Sequence, residues 1–236
     1  MLRKSVITVL SMLLATGVAM AEQLNRYEVK VDDFTELKIR ENININYVSN
    51  ADSAGMAVFY ATEAIAPHIV FSNNKGKLTV EFANKNNKPV NPPTVTVYSR
   101  FITLVENQSD STITMLKVNS GPQLKLRIMG NGKLIADNLD ALDVSASITT
   151  GCGTIVASGN CGTANLTNLG SGIIQADNLN AKHVKCKLYG TGTIGCTPSE
   201  SLTISGAGSG KVFYFGKPKS IENSSIGVKL IAPNEE

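Results

Sequence analysis

The residues best suited to chemistry in this chain are two aspartates that occur in the same tetrapeptide. Ala-Asp-Asn-Leu appears twice and places its carboxylates at Asp137 and Asp177. Paired carboxylates on a β structure are typical of polysaccharide-cleaving enzymes, in which acids bind calcium and a base abstracts a proton. Asp-Asn after a strand is also an ordinary turn sequence, because both side chains bond nearby backbone groups. Turn formation is the favoured interpretation, and a polysaccharide lyase or hydrolase using these two residues is the alternative.

The two histidines add no recognisable chemistry. His68 and His183 are far apart in sequence, and neither has a serine or cysteine at the spacing of a nucleophile motif. The cysteine spacing does not fit a metal site, for which close pairs such as Cys-x-x-Cys are typical. We therefore expect no catalytic residue, no metal site and no cofactor, and the residues that bind a partner are unknown from sequence.

The elements that must position these residues are marked by glycine. Five Gly-x-Gly tripeptides recur every 18 to 21 residues in the second half of the chain. A fixed period of this size is the sequence mark of a solenoid. Glycine suits the corner of each coil because a sharp bend often needs a positive φ, which a residue without Cβ adopts at little cost. The predicted structural corners are Gly130, Gly132, Gly151, Gly153, Gly170, Gly172, Gly190, Gly192, Gly208 and Gly210.

Apolar residues alternate with other residues on both sides of each glycine pair. Spacing by two is strand spacing, so each repeat is predicted to be a strand, a glycine corner and a second strand whose alternate residues point inward. Coils stacked about 4.8 Å apart bury one another's apolar faces. We expect an all-β fold, a right-handed parallel β-helix with coils of about 20 residues. The residues two positions after each second glycine would form one column: Leu134, Ile155, Ile174, Ile194 and Val212.

The cysteines all lie within the repeats. Cys186 and Cys196 are predicted to point inward from facing strands of one coil, and a disulfide between them is one prediction. Facing sheets usually lie about 10 Å apart, whereas a disulfide needs Cα atoms within about 7 Å, so the bond would require a narrow coil. Buried free thiols are therefore the favoured interpretation, and the disulfide is the alternative. A bond between Cys152, at a corner, and Cys161 is less favoured because an extended strand separates them.

The first residues indicate export. Arg3 and Lys4 precede an apolar stretch over residues 6–20, and Ala-Met-Ala before Glu22 matches a signal-peptidase site. Removal of residues 1–21 lowers the formal charge from +3 to +1. No later apolar run is long enough to span a bilayer, and no basic stripe or aromatic platform supports nucleic-acid binding. The protein is expected in the periplasm, on the outer cell surface or in the medium.

The organisation expected along the chain has four parts. A signal peptide at residues 1–21 precedes an irregular β-rich part at 22–120, regular repeats at 121–230 and a tail at 231–236. The irregular part is expected to cap one end of the solenoid, because an open end exposes an unpaired strand edge.

Within the irregular part, several local patterns predict strands and turns. Asn73-Asn74-Lys75-Gly76 predicts a hairpin turn, and the proline-rich stretch at 84–93 predicts an exposed loop. Alternating residues predict strands at 27–31, 43–48, 57–60, 77–82, 94–98 and 102–105.

The corners, an opening strand over residues 33–39 and a closing segment over 208–218 carry a family resemblance. The closing segment, Gly-Ser-Gly-Lys-Val-Phe-Tyr-Phe-Gly-Lys-Pro, is similar to a Gly-Ser-Gly-x-Ile-x-Tyr-x-Gly-x-Pro signature. Over about residues 34–228 the chain resembles the head GIN domain family of putative auto-transporter adhesins. The resemblance implies an exported parallel β-helix of the Bacteroidetes type, with a role in adhesion or surface structure and no catalytic residues. Asn131, Cys152 and Thr191 replace the serine of Gly-Ser-Gly, which argues against a required role for that serine.

Three functions follow from these patterns. The first is an exported, non-enzymatic β-helix that acts as an adhesin-like or cell-envelope structural or binding module, adding many weak contacts to a surface glycan or protein. The second is a polysaccharide lyase or hydrolase. The third is assembly into filaments through exposed coil ends, against which the export signal and the irregular cap argue. Oligomers are compatible with the first and required by the third.

Overall fold

The computed structural model describes residues 23–41, 43–83 and 93–232, most of which lie in β-strands. The predicted export signal, most of the proline-rich stretch and the last four residues lie outside these ranges. The strands are β1 (Asn25–Lys30), β2 (Glu36–Arg40), β3 (Asn44–Ser49), β4 (Met56–Ala61), β5 (Ile69–Asn74), β6 (Lys77–Phe82), β7 (Thr94–Ser99), β8 (Ile102–Gln108), β9 (Thr112–Lys117), β10 (Ser120–Met129), β11 (Lys133–Thr150), β12 (Thr154–Asn168), β13 (Ile173–Gly190), β14 (Thr193–Gly208), β15 (Lys211–Tyr214), β16 (Ser220–Asn223) and β17 (Lys229–Ile231).

Two parallel columns of strands form the body of the molecule. The first column runs β6, β2, β8, β10, then the second parts of β11, β12, β13 and β14, and finally β16. The second column runs β7, β3, β9, then the first parts of β11, β12, β13 and β14, and finally β15 and β17. The chain visits both columns once per coil, so the predicted parallel β-solenoid is confirmed.

A continuous apolar column runs through the inside of the second column of strands. Ile155 pairs with Ile174, and Ile174 pairs with Ile194, in three successive coils. All three side chains are fully buried. Full burial of such a side chain stabilises the fold by about 1.5–3 kcal/mol, and the neighbouring coils supply part of the cover. The same column extends in both directions through Val95, Ile45, Ile113, Leu134, Val212 and Leu230.

The N-terminal region is less regular, as predicted, and it ends in antiparallel strands. The coil formed by β2 and β3 lies between the strands β6 and β7 on one side and the coil of β8 and β9 on the other. Strand β5 pairs antiparallel with β6, β4 with β7, and β1 with β4. These antiparallel strands cover the outer edges of β6 and β7, which would otherwise offer unpaired backbone groups.

The local predictions for this region agree with the structure at each strand that the sequence marks. The hairpin turn is also present, since β5 and β6 are joined by Lys75 and Gly76 with φ of 54° and 80°. Positive φ at both central residues is typical of a tight hairpin turn. Within the described ranges, the only helical segment is one 3-10 turn at Ala66–His68, and none is long and apolar enough to span a membrane.

Candidate functional site

The outward side chains of the first column form three ladders across β10, β11, β12 and β13. Because the strands are parallel and in register, residues about 20 positions apart stand side by side on this face. The ladders are Gln123–Asp143–Thr163–His183, Lys125–Ser145–Asn165–Lys185 and Arg127–Ser147–Thr167–Lys187.

The side chains on this face are longer at its two sides than in its middle, so the face contains a depression that we call the polar trough. Its walls are the exposed side chains of β10 and β13, and its floor is the shorter, half-buried side chains of β11 and β12. The space has a volume of about 420 Å³ and lies between Lys125 and Lys185, over Ser145 and Asn165. Two strands lie between the walls, so the walls are three strand spacings apart, about 14 Å.

The trough continues toward the N-terminal strands. A second depression of about 260 Å³ shares Gln123 and Lys125 with the first and reaches Leu104 on β8 and Glu36 on β2. The continuous groove therefore crosses strands whose residues are widely separated in sequence and adjacent only through the stacking of coils.

The polar groups of the trough are largely unused by the protein itself. In the part of the chain that the structure describes, Lys125, Lys185 and Lys187 form no ion pair. The floor side chains also make no side-chain hydrogen bond within those residues: Ser145, Ser147, Thr163, Asn165 and Thr167. Hydroxyl and amide groups of this kind both donate and accept hydrogen bonds, so the trough presents free donors, free acceptors and positive charge to a ligand.

A charge cluster lies beside this continuation of the trough, on β2, β8 and β10. The Lys38 ammonium lies 3.1 Å from Glu106 Oε1, and the Arg127 guanidinium lies 3.1 Å from Glu106 Oε2. Gln108 Nε2 also donates to Glu106 Oε1, at 2.7 Å. Burial raises the pKa of the Glu106 carboxyl, but hydrogen bonds and attraction from Lys38 and Arg127 outweigh it, so the net pKa is lowered. Glu106 is therefore ionised at neutral pH and fixes the position of Arg127.

Replacing Glu106 with glutamine is expected to destabilise the protein by about 1.5–3 kcal/mol at neutral pH, since two cations lose a charged partner. Because the folded pKa is lowered, this contribution is present above the carboxyl's ordinary pKa of 4.5 and disappears as pH falls through the folded value. Denaturant titrations of both proteins at about pH 7 and about pH 3 measure the effect. An equal difference at both pH values would contradict the assignment.

The structure places Asp137 and Asp177 on one edge, two rungs apart, where the chain returns from the second column to the first. Their neighbours Leu139 and Leu179 both pair with Gly159 of the coil between them. The Ser158 hydroxyl of that coil donates to Asp137 Oδ1 at 2.8 Å.

The contacts around this edge are those of a turn. Asn138 has a φ of 56°, and the Thr197 hydroxyl donates to the carbonyl of Asp177. Within the described ranges, no group of three or more His, Cys, Asp and Glu residues is placed to hold a metal ion. The histidines are not brought together: His68 packs edge-on against Phe82, whereas His183 Nδ1 lies 2.9 Å from Ser201 Oγ beside the trough.

Each Gly-x-Gly tripeptide lies where the chain crosses from the first column to the second. The first, for example, joins the end of β10 to the start of β11, and the last joins β14 to β15. Gly151 has a φ of 84°, in the region that favours glycine. At Gly172 the φ is ordinary, but a Cβ would lie 2.6 Å from the carbonyl oxygen of Gly153. Close approach of successive corners is thus a second reason for glycine here.

Two asparagines that the sequence analysis did not single out support corners from inside the solenoid. Asn168 is fully buried, donates to the Gly172 carbonyl at 2.7 Å and accepts from the Gly170 amide at 3.2 Å. Asn107 is also fully buried, donating to the Ser111 carbonyl at 2.8 Å and accepting from the Ser109 amide at 3.0 Å. The sequence signal is an asparagine at an inward position two residues before the corner.

The structure brings Cys186 and Cys196 together inside one coil. All four cysteines are thiols, and these two are buried. A hydrogen bond between the two thiols, together with burial, raises the pKa of Cys186 well above its ordinary value. Burial also raises the pKa of Cys161 to about 11, whereas Cys152 is exposed at its corner. The facing strands thus lie close enough for the side chains to meet, and the Cys186–Cys196 disulfide stays a prediction.

If the protein matures in an oxidising compartment, we expect this bond to form. Alkylation of the unfolded protein without reductant then modifies Cys152 and Cys161 only, and prior reduction exposes all four cysteines to the reagent. The mass of the intact alkylated protein distinguishes the two results. Modification of all four without reductant would show that Cys186 and Cys196 remain thiols.

Comparison with solved structures finds close matches in fold among proteins of Bacteroidetes. A putative adhesin from Bacteroides fragilis has a TM-score of 0.75 and 22% identity, with 89% of this chain and 98% of that chain covered. A putative adhesin from Parabacteroides merdae has a TM-score of 0.71 and 20% identity, covering 90% and 97%. A putative lipid binding protein from Parabacteroides distasonis has a TM-score of 0.65 and 20% identity, covering 89% and 97%. No curated protein matches the chain.

The family comparison agrees with the resemblance drawn from the corners and the closing segment. A family model matches residues 33–218, which extend from the start of the first solenoid coil to the end of the closing segment. The match includes β2 to β15, and therefore every strand of the polar trough. The chain belongs to the family described as putative auto-transporter adhesin, head GIN domain.

Proposed function

We propose that this protein is an exported, non-enzymatic, adhesin-like binding module whose ligand occupies the polar trough. The observation that carries the proposal is the set of unpaired lysines and unbonded hydroxyl and amide groups gathered between β10 and β13. The buried asparagines Asn107 and Asn168, by contrast, use their polar groups within the fold, where they hold corners. The family to which the chain belongs supports an adhesin-like role.

The solenoid suits such a role because its surface is rigid before the ligand arrives. Every strand of the trough is hydrogen-bonded to two neighbours, so binding does not have to order the backbone. A flat row of small polar groups also makes several weak contacts at once, which add along a long ligand. No individual catalytic group is required for this activity.

Export is part of the proposal. The family of auto-transporter adhesins suggests an exported or surface protein. We further propose that residues 1–21 are removed as a signal peptide and that the mature protein acts in the periplasm, at the outer surface or in the medium.

The proposal is tested by blocking one face at a time. In a Cys152→Ser background, Asn165→Cys places a thiol on the trough floor, and Gln175→Cys places one on the outer face of the second column as the matched control. Each thiol is coupled to a bulky maleimide, and binding to a glycan array and to intact cells is measured. We expect loss of binding for the trough conjugate and retention for the control.

Two results would contradict the proposal. Equal binding by both conjugates would place the ligand elsewhere. Release of cleaved product from a polysaccharide, abolished by Asp177→Ala, would instead establish the enzymatic alternative. The name of the Parabacteroides distasonis neighbour makes lipid a ligand class to include among the probes.

A further inference from the structure

We infer that the polar trough binds an acidic glycan, whose carboxylate or sulfate groups contact the lysines of both walls while its hydroxyl groups contact the floor. This inference rests on the proposed function and adds the chemical class of the ligand. It follows from the balance of free charge, from the separation of the walls and from the chemistry of the floor.

The free charge in the trough is mainly positive. Lys125 on one wall and Lys185 and Lys187 on the other have no ion-pair partner among the described residues. The nearby acids are mostly neutralised: Glu106 pairs with Lys38 and Arg127, and Glu36 pairs with Lys77 at 2.8 Å. Asp143 is the one acid on the floor, lining the space between the two walls. A ligand with negative charge therefore complements the trough.

A ligand that contacts both the walls and the floor needs two kinds of chemical group, charged groups and hydroxyl groups. The lysines stand on strands three rungs apart, about 14 Å, so a single small anion cannot contact both walls. Between them lie only hydroxyl, amide and carboxylate groups, including Ser145, Thr163 and Asn165. Such groups exchange hydrogen bonds with alcohols, which act as both donors and acceptors. A short oligosaccharide with charged groups at two points supplies negative charge at the walls and hydroxyls between them.

Other anionic macromolecules fit less well. The trough is lined by polar and charged side chains and lacks the aromatic rings on which nucleic-acid bases stack. It is a recess with a polar floor, whereas a protein lying on a lipid surface inserts apolar side chains among the headgroups. An anionic lipid surface remains an outcome of the test.

The test uses oligogalacturonate and chondroitin sulfate fragments, each with its methyl-esterified counterpart of lower negative charge. Binding is measured by calorimetry for the intact protein and for Lys125→Gln/Lys185→Gln. The matched control is Lys211→Gln/Lys229→Gln, which removes the same charge from the outer face of the second column.

We expect at least one acidic fragment to bind more tightly than its ester, and added salt to weaken that binding. The trough double variant should lose roughly tenfold in affinity, and the control less than about twofold. Asp143→Asn should strengthen binding, because it removes the repulsive charge from the floor. Retention of the wild-type unfolding midpoint by each variant shows that the fold is intact.

The outcomes separate this inference from the proposed function. If esters and acids bind equally and the lysine changes have no effect, while a bulky group at position 165 still blocks binding, the ligand class is wrong and the binding face stands. If the bulky group at position 165 also has no effect on binding, both the ligand class and the proposed binding face are wrong. If the lysines matter only for binding to vesicles containing phosphatidylglycerol, the trough recognises a lipid surface and the glycan inference is overturned.

Discussion

An Ile174→Asp protein is expected to lose more than about 4 kcal/mol of stability, enough to prevent folding of a protein of ordinary stability. The side chain of Ile174 is 0% exposed and lies between Ile155 and Ile194 in the inner column. An aspartate there would place an unpaired carboxylate among aliphatic side chains, where ionisation carries a large desolvation cost. The two neighbouring coils would also lose their apolar contact with this one.

Ile173→Asp is the matched control, since it makes the same chemical change one residue earlier. Ile173 is 40% exposed on the outer face, so the new carboxylate remains in water. Surface substitutions of this kind usually change stability by less than about 0.5 kcal/mol. Circular dichroism and denaturant titration of both variants measure the difference. Similar losses for the two positions would contradict the alternation of inward and outward residues.

The second large effect is expected for Gly172→Ala, which should cost about 3 kcal/mol through overpacking. A Cβ at this position would lie 2.6 Å from the Gly153 carbonyl oxygen and 2.9 Å from Ile148 Cδ1. The carbonyl belongs to the backbone of the preceding corner, which accepts a hydrogen bond from Ile173, so it cannot move aside without disturbing that bond. Successive corners would have to separate locally.

Gly121→Ala provides the control for this change. A Cβ at Gly121 meets only Thr103 Cγ2, at 3.6 Å, an ordinary contact distance. We expect unchanged or slightly increased stability, because alanine reduces the conformational freedom of the unfolded chain. Thermal unfolding midpoints of the two variants compare the sites. A Gly172→Ala protein as stable as wild type would show that the corners are not closely stacked.

The repeating part of the fold is predictable from sequence because each of its coils contains a Gly-x-Gly corner. The apolar residues beside each glycine corner recur with a period near the coil length, and Ile155, Ile174 and Ile194 indeed pair in order. The local sequence of each coil and the stacking of successive coils therefore favour the same parallel β-solenoid, so the repeating sequence pattern is enough to predict it.

The coils of the N-terminal half could not be predicted in this way, because their corners lack the Gly-x-Gly tripeptide. Between β8 and β9 the corner contains Ser109 and Ser111 in place of glycines, and Asn107 holds it from inside. The β2–β3 coil lies between strands that come later in the sequence, since β2 pairs with both β6 and β8. Such pairing between distant segments leaves no local sequence pattern. Strand β5 also lacks alternation, since its apolar residues are consecutive.

The candidate site was not predictable residue by residue. The lysines at 125 and 185 are ordinary outward residues in their own strands, and only the register shows that two rungs of small side chains separate them. The sequence instead drew attention to Asp137 and Asp177, which the structure places at a turn edge with a bond from Ser158. The sequence predicts repeated polar faces, but only the register of the strands shows which polar residues stand together on each face.

The most direct test of this account is a crystal structure of the protein with an acidic oligosaccharide, oligogalacturonate or a chondroitin sulfate fragment, soaked or co-crystallised. We predict that the sugar lies across Ser145 and Asn165, with its negative groups toward Lys125 and Lys185. A sugar bound instead along the outer face of the second column, or at the edge that carries Asp137 and Asp177, would contradict the assignment of the trough as the binding surface.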